Sequence, residues 1–284
     1  MPATAHAIYL PEDLEIAKGA SEALNETIVE RRICRSFAVP GIARTIEVKI
    51  ASERKEWEQA FELLGETYRA RGYESADSNG LRFTPFHALP DAVTFVAKHQ
   101  GNVIATLSLV LDNNVLGLPM ECVYGNEING LRSQGRRFGE ATSLADKGLS
   151  LREFIPVFTS LIRILIQYTL RQGGDSWVIS VNPKHRNYYR KVLGFVPLGP
   201  WRAYPSVQNH PAEAYFLDMD LLKTKPAMYE YIMSEALPNQ VLETHLMPAH
   251  LIREFADHSS HADSLIIKNI LEVVGRKTSM IRWR

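Results

Sequence analysis

The segment VISVNPKHRNYYRKVLGF, residues 178–195, constrains the fold more than any other part of the chain. Val178 and Val181 are β-branched, as a buried strand requires, and Pro183 cannot donate a ladder hydrogen bond, so the strand must end before it. A short basic helix is then predicted, and Gly194 supplies the backbone freedom that closes such a helix. In many α/β folds ligands bind where a strand end feeds a helix. The segment is therefore the first place to look for a functional site.

Length and composition permit one large domain with extensions, because a chain of 284 residues exceeds the size of most single cores. The 32 basic residues balance the 32 acidic ones, so charge indicates neither a nucleic-acid nor a membrane partner. Cys34 and Cys122 support neither a disulfide framework nor a metal site, which favours a reducing compartment. No signal-peptide pattern and no run of about 18 uninterrupted apolar residues occur. We expect a cytoplasmic protein without a membrane span.

The pattern of apolar residues divides the chain into three parts. Residues 1–44 look polar and partly helical and are predicted to form an N-terminal helical arm. Residues 45–222 alternate strands and helices and are predicted to form the main domain. Residues 223–284 contain three helical stretches and are predicted to form a C-terminal helical extension. One face of its last helix, able to dock on the domain or on a second subunit, carries Leu265, Ile266, Ile270 and Val273.

The main domain is predicted to contain, in order, a strand, a helix, a hairpin, a strand, a long helix, a strand, a short helix and a strand pair. Two β-rich runs flank a glycine-containing turn at 99–102, which indicates the hairpin. The long helix is predicted to begin at Leu151, because Ser150 and Glu153 have the spacing of a capping box. It is predicted to end at the glycine pair 173–174.

This order of elements resembles the GNAT acyltransferase fold, and particular strings narrow the resemblance. VNPKHRNYYRKVLGF resembles the P-x-H-x-x-Y/F-Y-x-x-x-L-G-F segment of the FeeM-type N-acyl amino acid synthases, which are related to acyl-homoserine lactone synthases. Tyr189 stands five residues before Gly194, as in that group. Four further strings are similar to segments of the same family: FELLGETYRARGY (61–73), GNVIATLSLVLDNNVLGLP (101–119), GRRFGEATSLAD (135–146) and HPAEAYFLDMDLL (210–222).

The resemblance implies an α/β (α+β) fold, with a mixed central sheet whose two middle strands splay apart and whose faces carry helices. It also implies an acyltransferase that joins a fatty acyl group, delivered on the phosphopantetheine arm of an acyl carrier protein, to the α-amine of an amino acid. Direct attack on the thioester is expected, with no acyl-enzyme, no permanently bound cofactor and no metal. Two alternatives stay open: an acyltransferase that uses acyl-coenzyme A on a small amine or a protein, and a catalytically silent module that binds acyl chains or a partner.

The loop at 146–150 favours the carrier protein as donor. Coenzyme A-dependent GNAT enzymes bind pyrophosphate with a glycine-rich loop that leads into a helix N-terminus. Here the loop reads DKGLS and retains one glycine, so it suits a single phosphate better than a pyrophosphate. The predicted donor-binding residues are Ser143, Leu144, Ala145, Lys147, Gly148 and Ser150.

Glu140 is the predicted general base that takes the proton of the acceptor amine, directly or through water. Sequence alone favours a structural ion pair with a flanking arginine or an exposed edge-strand carboxylate, since most glutamates are exposed. The resemblance reverses that preference, because a glutamate occupies this place in both synthase groups. Tyr189 is the predicted acid for the leaving thiolate. Tyr188 competes with it, and two adjacent helical residues point about 100° apart, so only one can face the donor.

The remaining candidates have plain structural alternatives. His185 is predicted to hold the acceptor carboxylate, contact the donor or cap a helix, and the last role is the commonest. Phe154 and Phe158 are predicted to line an acyl pocket, although aromatic stripes on helices are more often plain core. A basic rim that docks an acidic carrier protein is predicted from Arg136, Arg137, Lys184, Arg186, Arg190 and Lys191, for which ordinary solvated surface is the alternative.

Overall fold

The structure is a computed structural model and describes residues 36–42, 44–75 and 80–275. Most of the predicted N-terminal arm therefore lies outside the described residues. Where its end is described, the chain forms a strand, Ser36–Ala38, instead of a helix. This strand pairs with Glu47–Ile50, so residues 36–38 add an edge to the sheet.

The described residues form one mixed sheet in the order β1-β2-β3-β4-β5-β6-β8-β7. Neighbouring strands run antiparallel, apart from the central pair β5 and β6, which is parallel. The strands are β1 (Ser36–Ala38), β2 (Glu47–Ile50), β3 (Ala92–His99), β4 (Asn102–Leu111), β5 (Phe138–Asp146), β6 (Ser176–Val181), β7 (Val196–Tyr204) and β8 (His210–Asp218).

Helices cover both faces of this sheet. One hydrophobic core lies under α3 and α5, a side we call the α3 face, and a second lies under α1, α2, α6 and α7, which we call the α1 face. The helices are α1 (Arg54–Ala70), α2 (Glu121–Ser133), α3 (Leu151–Arg171), α4 (Met219–Leu222), α5 (Pro226–Met233), α6 (Ala249–Ala256) and α7 (His261–Gly275). The predicted hairpin, the capping box before Leu151 and the long helix are confirmed.

In the described part of the chain, α3 alone is long and apolar enough to cross a membrane by length and composition. About two thirds of its most apolar window, 67%, is buried inside the fold. Its buried residues include Leu161, Ile164 and Leu165, which pack on the sheet. The central helix of a folded core has the same composition.

The two middle strands splay apart, as the family resemblance implied. β5 pairs with β6 over only three residues, and the last pair joins Glu140 to Val178. Beyond it β5 runs on to Asp146 beside β4 alone. Within this stretch Leu107 of β4 faces two residues of β5, a β-bulge that places Ser143 in the left-handed region at φ 57°. A gap therefore opens between β5 and β6.

Three sequence expectations need correction. The basic segment after β6 is not one helix but a 3₁₀ turn at Pro183–His185 followed by a π turn at Tyr188–Val192. Helix α2 was not predicted, because Gly125 and Gly130 weaken its helical pattern. The signal that does indicate it is the spacing of its buried residues Met120, Tyr124, Ile128 and Leu131.

The third correction concerns α7, whose predicted docking face is largely exposed. Leu265, Ile266 and Val273 face outward, whereas Ile267 and Ile270 are buried. The reason is tertiary: α7 packs against α6 and against the 3₁₀ turn at Pro85–Ala88, and both contacts fall on the buried side.

Candidate active site

A cavity of about 440 Å³ crosses the sheet through the gap between β5 and β6. Its apolar arm lies on the α3 face and is lined by Phe158, Ile162, Leu165, Ile166, Trp177 and Ile232 among others. Its polar arm opens on the α1 face and is lined by Tyr68, Arg71, Arg82, His87, Tyr204 and His210 among others. The two arms meet at Ser143, Leu144, Ser180 and Tyr189. The cavity thus connects an apolar compartment to a charged compartment at the point where β5 and β6 separate.

Glu140 lies at the start of the gap and is 1% exposed on an interior strand. This burial excludes the exposed-edge alternative. Its Oε2 accepts a hydrogen bond of 2.8 Å from the backbone N–H of Met120, and among the described residues it forms no salt bridge, so the ion-pair alternative also fails. Burial raises the pKa of Glu140 to about 8, opposed by the Met120 hydrogen bond and reinforced by the nearby charge of Glu121.

Among the described residues that line the cavity are Pro119, Ala141 and Thr142, which lie beside Glu140. Glu140 itself is not one of them. Its charge influences Tyr68 and Tyr204, which line the polar arm. The carboxyl group therefore lies just behind the wall of the polar arm. A molecule in that arm does not touch the carboxyl group in this conformation, so a proton reaches it only by a relay across the wall.

His87 and Ser143 form a hydrogen bond of defined direction at the junction. The backbone N–H of Thr84 donates to Nδ1 of His87 at 3.1 Å, so Nδ1 carries no proton. Burial lowers the pKa of His87 to about 3, so the ring is neutral and its one proton is on Nε2. Nε2 lies 3.2 Å from Oγ of Ser143 and donates to it. The hydroxyl proton of Ser143 is then left to donate elsewhere, and both residues line the cavity.

Of the adjacent tyrosines, the structure places Tyr189 in the cavity wall. Burial raises the pKa of Tyr189 to about 12, slightly opposed by the Arg71 guanidinium. Tyr188 packs against Phe158 with ring centroids 5.9 Å apart, and its buried hydroxyl has no partner among the described residues. Burial raises the pKa of Tyr188 as well. Both phenols are therefore protonated at neutral pH.

The predicted donor loop has little free backbone to offer an anion. Asp146 Oδ1 accepts from the N–H of Leu149 at 2.9 Å, and Glu153 Oε2 accepts from the N–H of Ser150 at 3.2 Å. Lys147 and Gly148 are exposed, and Gly148 has φ 63°. Two loop amides are thus already occupied by carboxylates, which repel a phosphate at this helix N-terminus. Leu144 and Ala145 follow the bulge, where Leu144 lines the cavity and Ala145 is buried.

The predicted pocket residues divide between cavity and core. Phe158 lines the apolar arm, whereas Phe154 stacks on Phe158 at 5.4 Å outside the described lining. His185 is half-buried, and burial lowers its pKa to about 4, aided by the charges of Lys184 and Arg71. Its Nδ1 has no hydrogen-bond partner among the described residues. The structure therefore brings Phe158 to the cavity but not Phe154 or His185.

The predicted basic rim consists of two separate groups. Lys184, Arg186, Arg190 and Lys191 follow β6 at the open end of the gap and are exposed, with Arg186 paired to Glu213 at 2.9 Å. Arg136 and Arg137 precede β5 where it pairs with the start of β6, so they lie at the other end of that six-residue strand, about 17 Å along it by strand rise. There they pair with acidic residues, Arg136 with Asp218 at 2.6 Å and Arg137 with Asp175 at 3.8 Å.

Of the polar cavity residues that sequence reasoning missed, three carry charge or a ring nitrogen close to the junction or the acceptor side: Arg71, Arg82 and His87. Arg71 ends α1 and contacts Asp146 at 3.8 Å, and Arg82 contacts Glu74 at 3.2 Å and lies over the Tyr68 ring at 4.5 Å. The string that contains Arg71 also contains Arg69, and only the fold shows which one lines the cavity. The third residue, His87, lies in a polar loop where no spacing singles it out.

A mixed sheet with two splayed middle strands and a cavity that passes between them defines an acyltransferase of the GNAT-like fold. The family described as N-acyl amino acid synthase FeeM matches residues 59–218. The chain therefore belongs to the FeeM family of N-acyl amino acid synthases, and the resemblance seen in its motifs is confirmed.

The chain is also similar to several solved structures. FeeM, an N-acyl amino acid synthase from uncultured soil microbes, is 28% identical, and the match covers 63% of this chain and 93% of FeeM with a TM-score of 0.55. The acyl-homoserine lactone synthase LasI is 13% identical, with 68% and 96% of the two chains covered and a TM-score of 0.48. BjaI, a coenzyme A-dependent acyl-homoserine lactone synthase, is 15% identical, with 67% and 92% covered and a TM-score of 0.46. No curated protein is significantly similar to the chain.

Proposed function

We propose that this protein is a cytoplasmic enzyme that joins a fatty acyl group, carried as a thioester on an acyl carrier protein, to the α-amine of an amino acid. The observation that carries the proposal is the cavity, which connects an apolar arm to a charged arm at the splayed strands. An acyl chain fits the first arm and a zwitterionic amino acid the second. The thioester carbonyl then lies at the junction, beside Ser143 and Tyr189.

Glu140 is the proposed base. An ammonium group cannot attack a carbonyl, so the acceptor must lose a proton before or during attack. A carboxylate with a pKa of about 8 is a far stronger base than an ordinary glutamate and is matched to an amine near neutral pH. Attack by the neutral amine gives a tetrahedral intermediate with an oxyanion and one surplus proton on nitrogen. That second proton passes to solvent water as the C–S bond breaks, and the amide and the carrier thiolate are released.

Ser143 is the proposed donor to the oxyanion. Because Nε2–H of His87 occupies its oxygen, the Ser143 proton is directed away from His87, into the junction. A preformed hydroxyl donor gains strength as charge develops on the carbonyl oxygen. His87 is a positioning residue here, held by Thr84 and stacked in an aromatic cluster with Phe61 and Phe83.

Tyr189 is the proposed partner of the leaving sulfur. A phenol whose pKa is about 12 is a weaker acid than a thiol, whose pKa is about 8.5 in model compounds. Complete proton transfer to the thiolate is therefore uphill. Tyr189 instead stabilises the sulfur anion by a hydrogen bond, and the thiolate takes its proton from water after release.

Two guanidinium groups in the polar arm support an amino acid as the acceptor. Arg71 and Arg82 both line it, and a guanidinium binds a carboxylate through paired hydrogen bonds. The guanidinium group of Arg71 is less engaged than that of Arg82, since its contact with Asp146 is long, at 3.8 Å, and its side chain is 41% exposed. We assign the acceptor carboxylate to Arg71, with Arg82 holding the wall through Glu74 and the carbonyl of Ser206.

The occupied loop amides support the carrier protein over coenzyme A as the donor. A pyrophosphate would meet the carboxylates of Asp146 and Glu153 where other enzymes present free N–H groups. The phosphopantetheine arm of a carrier protein has a single phosphate, which needs fewer free backbone N–H groups from this loop than a pyrophosphate does. The exposed basic residues Lys184, Arg190 and Lys191 at the same end favour an acidic carrier.

The proposal is tested by four assays with one acyl chain. The chain is supplied on acyl carrier protein or on coenzyme A, and the acceptor is an amino acid or the amine that lacks its carboxylate. We expect a kcat/KM at least tenfold higher with the carrier and at least tenfold higher with the amino acid. Equal or better turnover with coenzyme A contradicts the donor assignment, and equal turnover of the amine contradicts the acceptor. Lipid-extractable N-acyl amino acids from an expressing bacterium identify the product.

A further inference from the structure

The inner end of the apolar arm is closed by residues that lie beyond the family match at 59–218. Leu222 of α4 and Ile232 of α5 both line the cavity, and both are 0% exposed. The C-terminal extension, for which the sequence suggested only structural roles, therefore contributes to the wall of the site.

Ile232 lies at the end of the arm farthest from the junction. Helix α3 lines the arm from Phe158 to Ile166, eight residues or about 12 Å of helix. Phe158 is at the junction end, where its ring meets Tyr189 at 6.4 Å. Gln167 is at the other end, where its side-chain amide donates to the carbonyl of Ile232 at 2.6 Å.

A buried hydrogen-bond network holds α5 in place behind the cavity. The amide of Gln167 also donates to the carbonyl of Glu235 at 2.9 Å, and its oxygen accepts from the N–H of Leu237 at 2.7 Å. Arg163 adds a bond of 2.9 Å to the same Glu235 carbonyl. Buried hydrogen-bond networks of this kind restrain a segment, although Nε of Arg163 has no hydrogen-bond partner among the described residues. Helix α5, which carries Ile232, therefore cannot move away easily to make room for a longer acyl chain.

We propose that Ile232 ends the apolar arm and sets the longest acyl chain that the enzyme accepts. The inference rests on the proposed function, since it needs an acyl chain in this arm. Each methylene that fits the arm should raise kcat/KM by about fourfold, the equivalent of its burial free energy. When the chain is long enough to contact Ile232, a further methylene fits only if close-packed side chains move. The rise of about fourfold in kcat/KM is then lost.

The test is the profile of kcat/KM over a series of saturated acyl carrier protein thioesters that differ by two methylenes. Ile232→Ala and the milder Ile232→Val should extend the optimum to longer chains, and Ile232→Phe should shorten it. Leu242→Ala is the matched control, because Leu242 is buried in the same core but does not line the cavity. It should leave the profile unchanged.

The outcomes separate this inference from the proposed function. An unchanged profile in folded, active Ile232→Val and Ile232→Phe overturns the inference while the function stands. The same shift in Leu242→Ala also overturns it, because the effect then reflects loosening of the core. If the wild-type enzyme transfers no acyl chain to any amino acid, the proposed function fails instead. Melting temperatures of all variants identify any that fail to fold.

Discussion

The two arms of the cavity are held in place by different interactions: hydrogen bonds and ion pairs in the polar arm, and close packing in the apolar arm. In the polar arm and just behind its wall, the key groups are already bonded before a substrate arrives: His87 to Thr84, Arg82 to Glu74 and, behind the wall, Glu140 to Met120. In the apolar arm the walls are close-packed side chains, and the polar network that supports them lies behind the wall. Changes in the polar arm should therefore alter rate and pH dependence, whereas changes in the apolar arm should alter which chain is accepted. Each prediction below tests that division, from the largest effect to the smallest.

The largest effect is expected from Glu140→Gln. Glutamine keeps the shape and the acceptor for Met120 but removes the base, so kcat should fall by roughly 10²–10⁴ with little change in KM. Wild-type activity should rise with pH to about 8 and then level, because that is the pKa of Glu140. The variant should keep rising as the amine loses its own proton, so the gap narrows above pH 8. Rates from pH 6.5 to 9.5 check this, and near-wild-type turnover at pH 7 would remove Glu140 from the mechanism.

Stability gives an independent readout of the same residue. The folded-state pKa of Glu140 is raised to about 8, so folding takes up a proton between the ordinary glutamate value and pH 8. Wild-type stability should therefore lose a contribution as pH rises through this window. The stability of Glu140→Gln should not fall in this window. Its melting temperature relative to that of the wild type should therefore be higher above pH 8 than at low pH. A structural ion pair would give the opposite sign.

The next effect is expected from Ser143→Ala, which removes the proposed oxyanion donor and should lower kcat by about 10². His87→Gln should cost less alone and almost nothing more in the Ser143→Ala background, because His87 acts through Ser143. The double-mutant cycle in kcat, with the acyl-length profile unchanged, is the measurement. Additive losses would show that His87 merely supports the fold.

A smaller effect is expected from Arg190→Glu at the open end of the gap. The KM for the carrier protein should rise severalfold at low salt and return toward wild type at high salt, with no effect on a coenzyme A thioester. Lys55→Glu is the control, since Lys55 is exposed near the start of α1, about 24 Å along that helix from Arg71. Equal responses of the two variants would contradict a local docking surface.

The smallest effect is expected from Glu121→Gln. Burial is the main cause of the raised pKa of Glu140, and the charge of Glu121 adds to it. Removing that charge should shift the midpoint of the pH–rate profile to lower pH without changing the plateau. Glu127 lies on the same helix and is also ion-paired, to Arg202 as Glu121 is to Arg132, but its charge does not contribute to the raised pKa of Glu140. Glu127→Gln should therefore leave the midpoint in place. A shift of both variants would point to a general loosening of α2.

Several features of the fold were predictable because their causes are local. The capping box at Ser150 and Glu153 and the turn at 99–102 depend on residues within a few positions of one another. The motif strings also indicated the family and the splayed strands. The position of Glu140 beside the gap follows from its place in strand β5.

Other features depended on packing between distant segments. No local pattern could show that α7 buries Ile267 and Ile270, because its partners are α6 and the turn at Pro85–Ala88. Likewise, the sequence grouped Arg136 and Arg137 with the basic segment after β6, yet they precede β5 where it pairs with the start of β6, so strand β6 separates the two groups. The domain limits, the donor and the acceptor stay predictions.

By itself, the sequence determined the family, the alternation of strands and helices and the residues around the gap, because short motifs carry that information in their spacing. Only the tertiary structure decided the polarity of the two arms, the tautomer of His87 and the raised pKa of Glu140. It also decided that Ile232 of α5, beyond the family match, lines the apolar arm. These properties arise from burial and from contacts between residues far apart in the chain, such as Gln167 with Ile232 and His87 with Ser143, which no local pattern records.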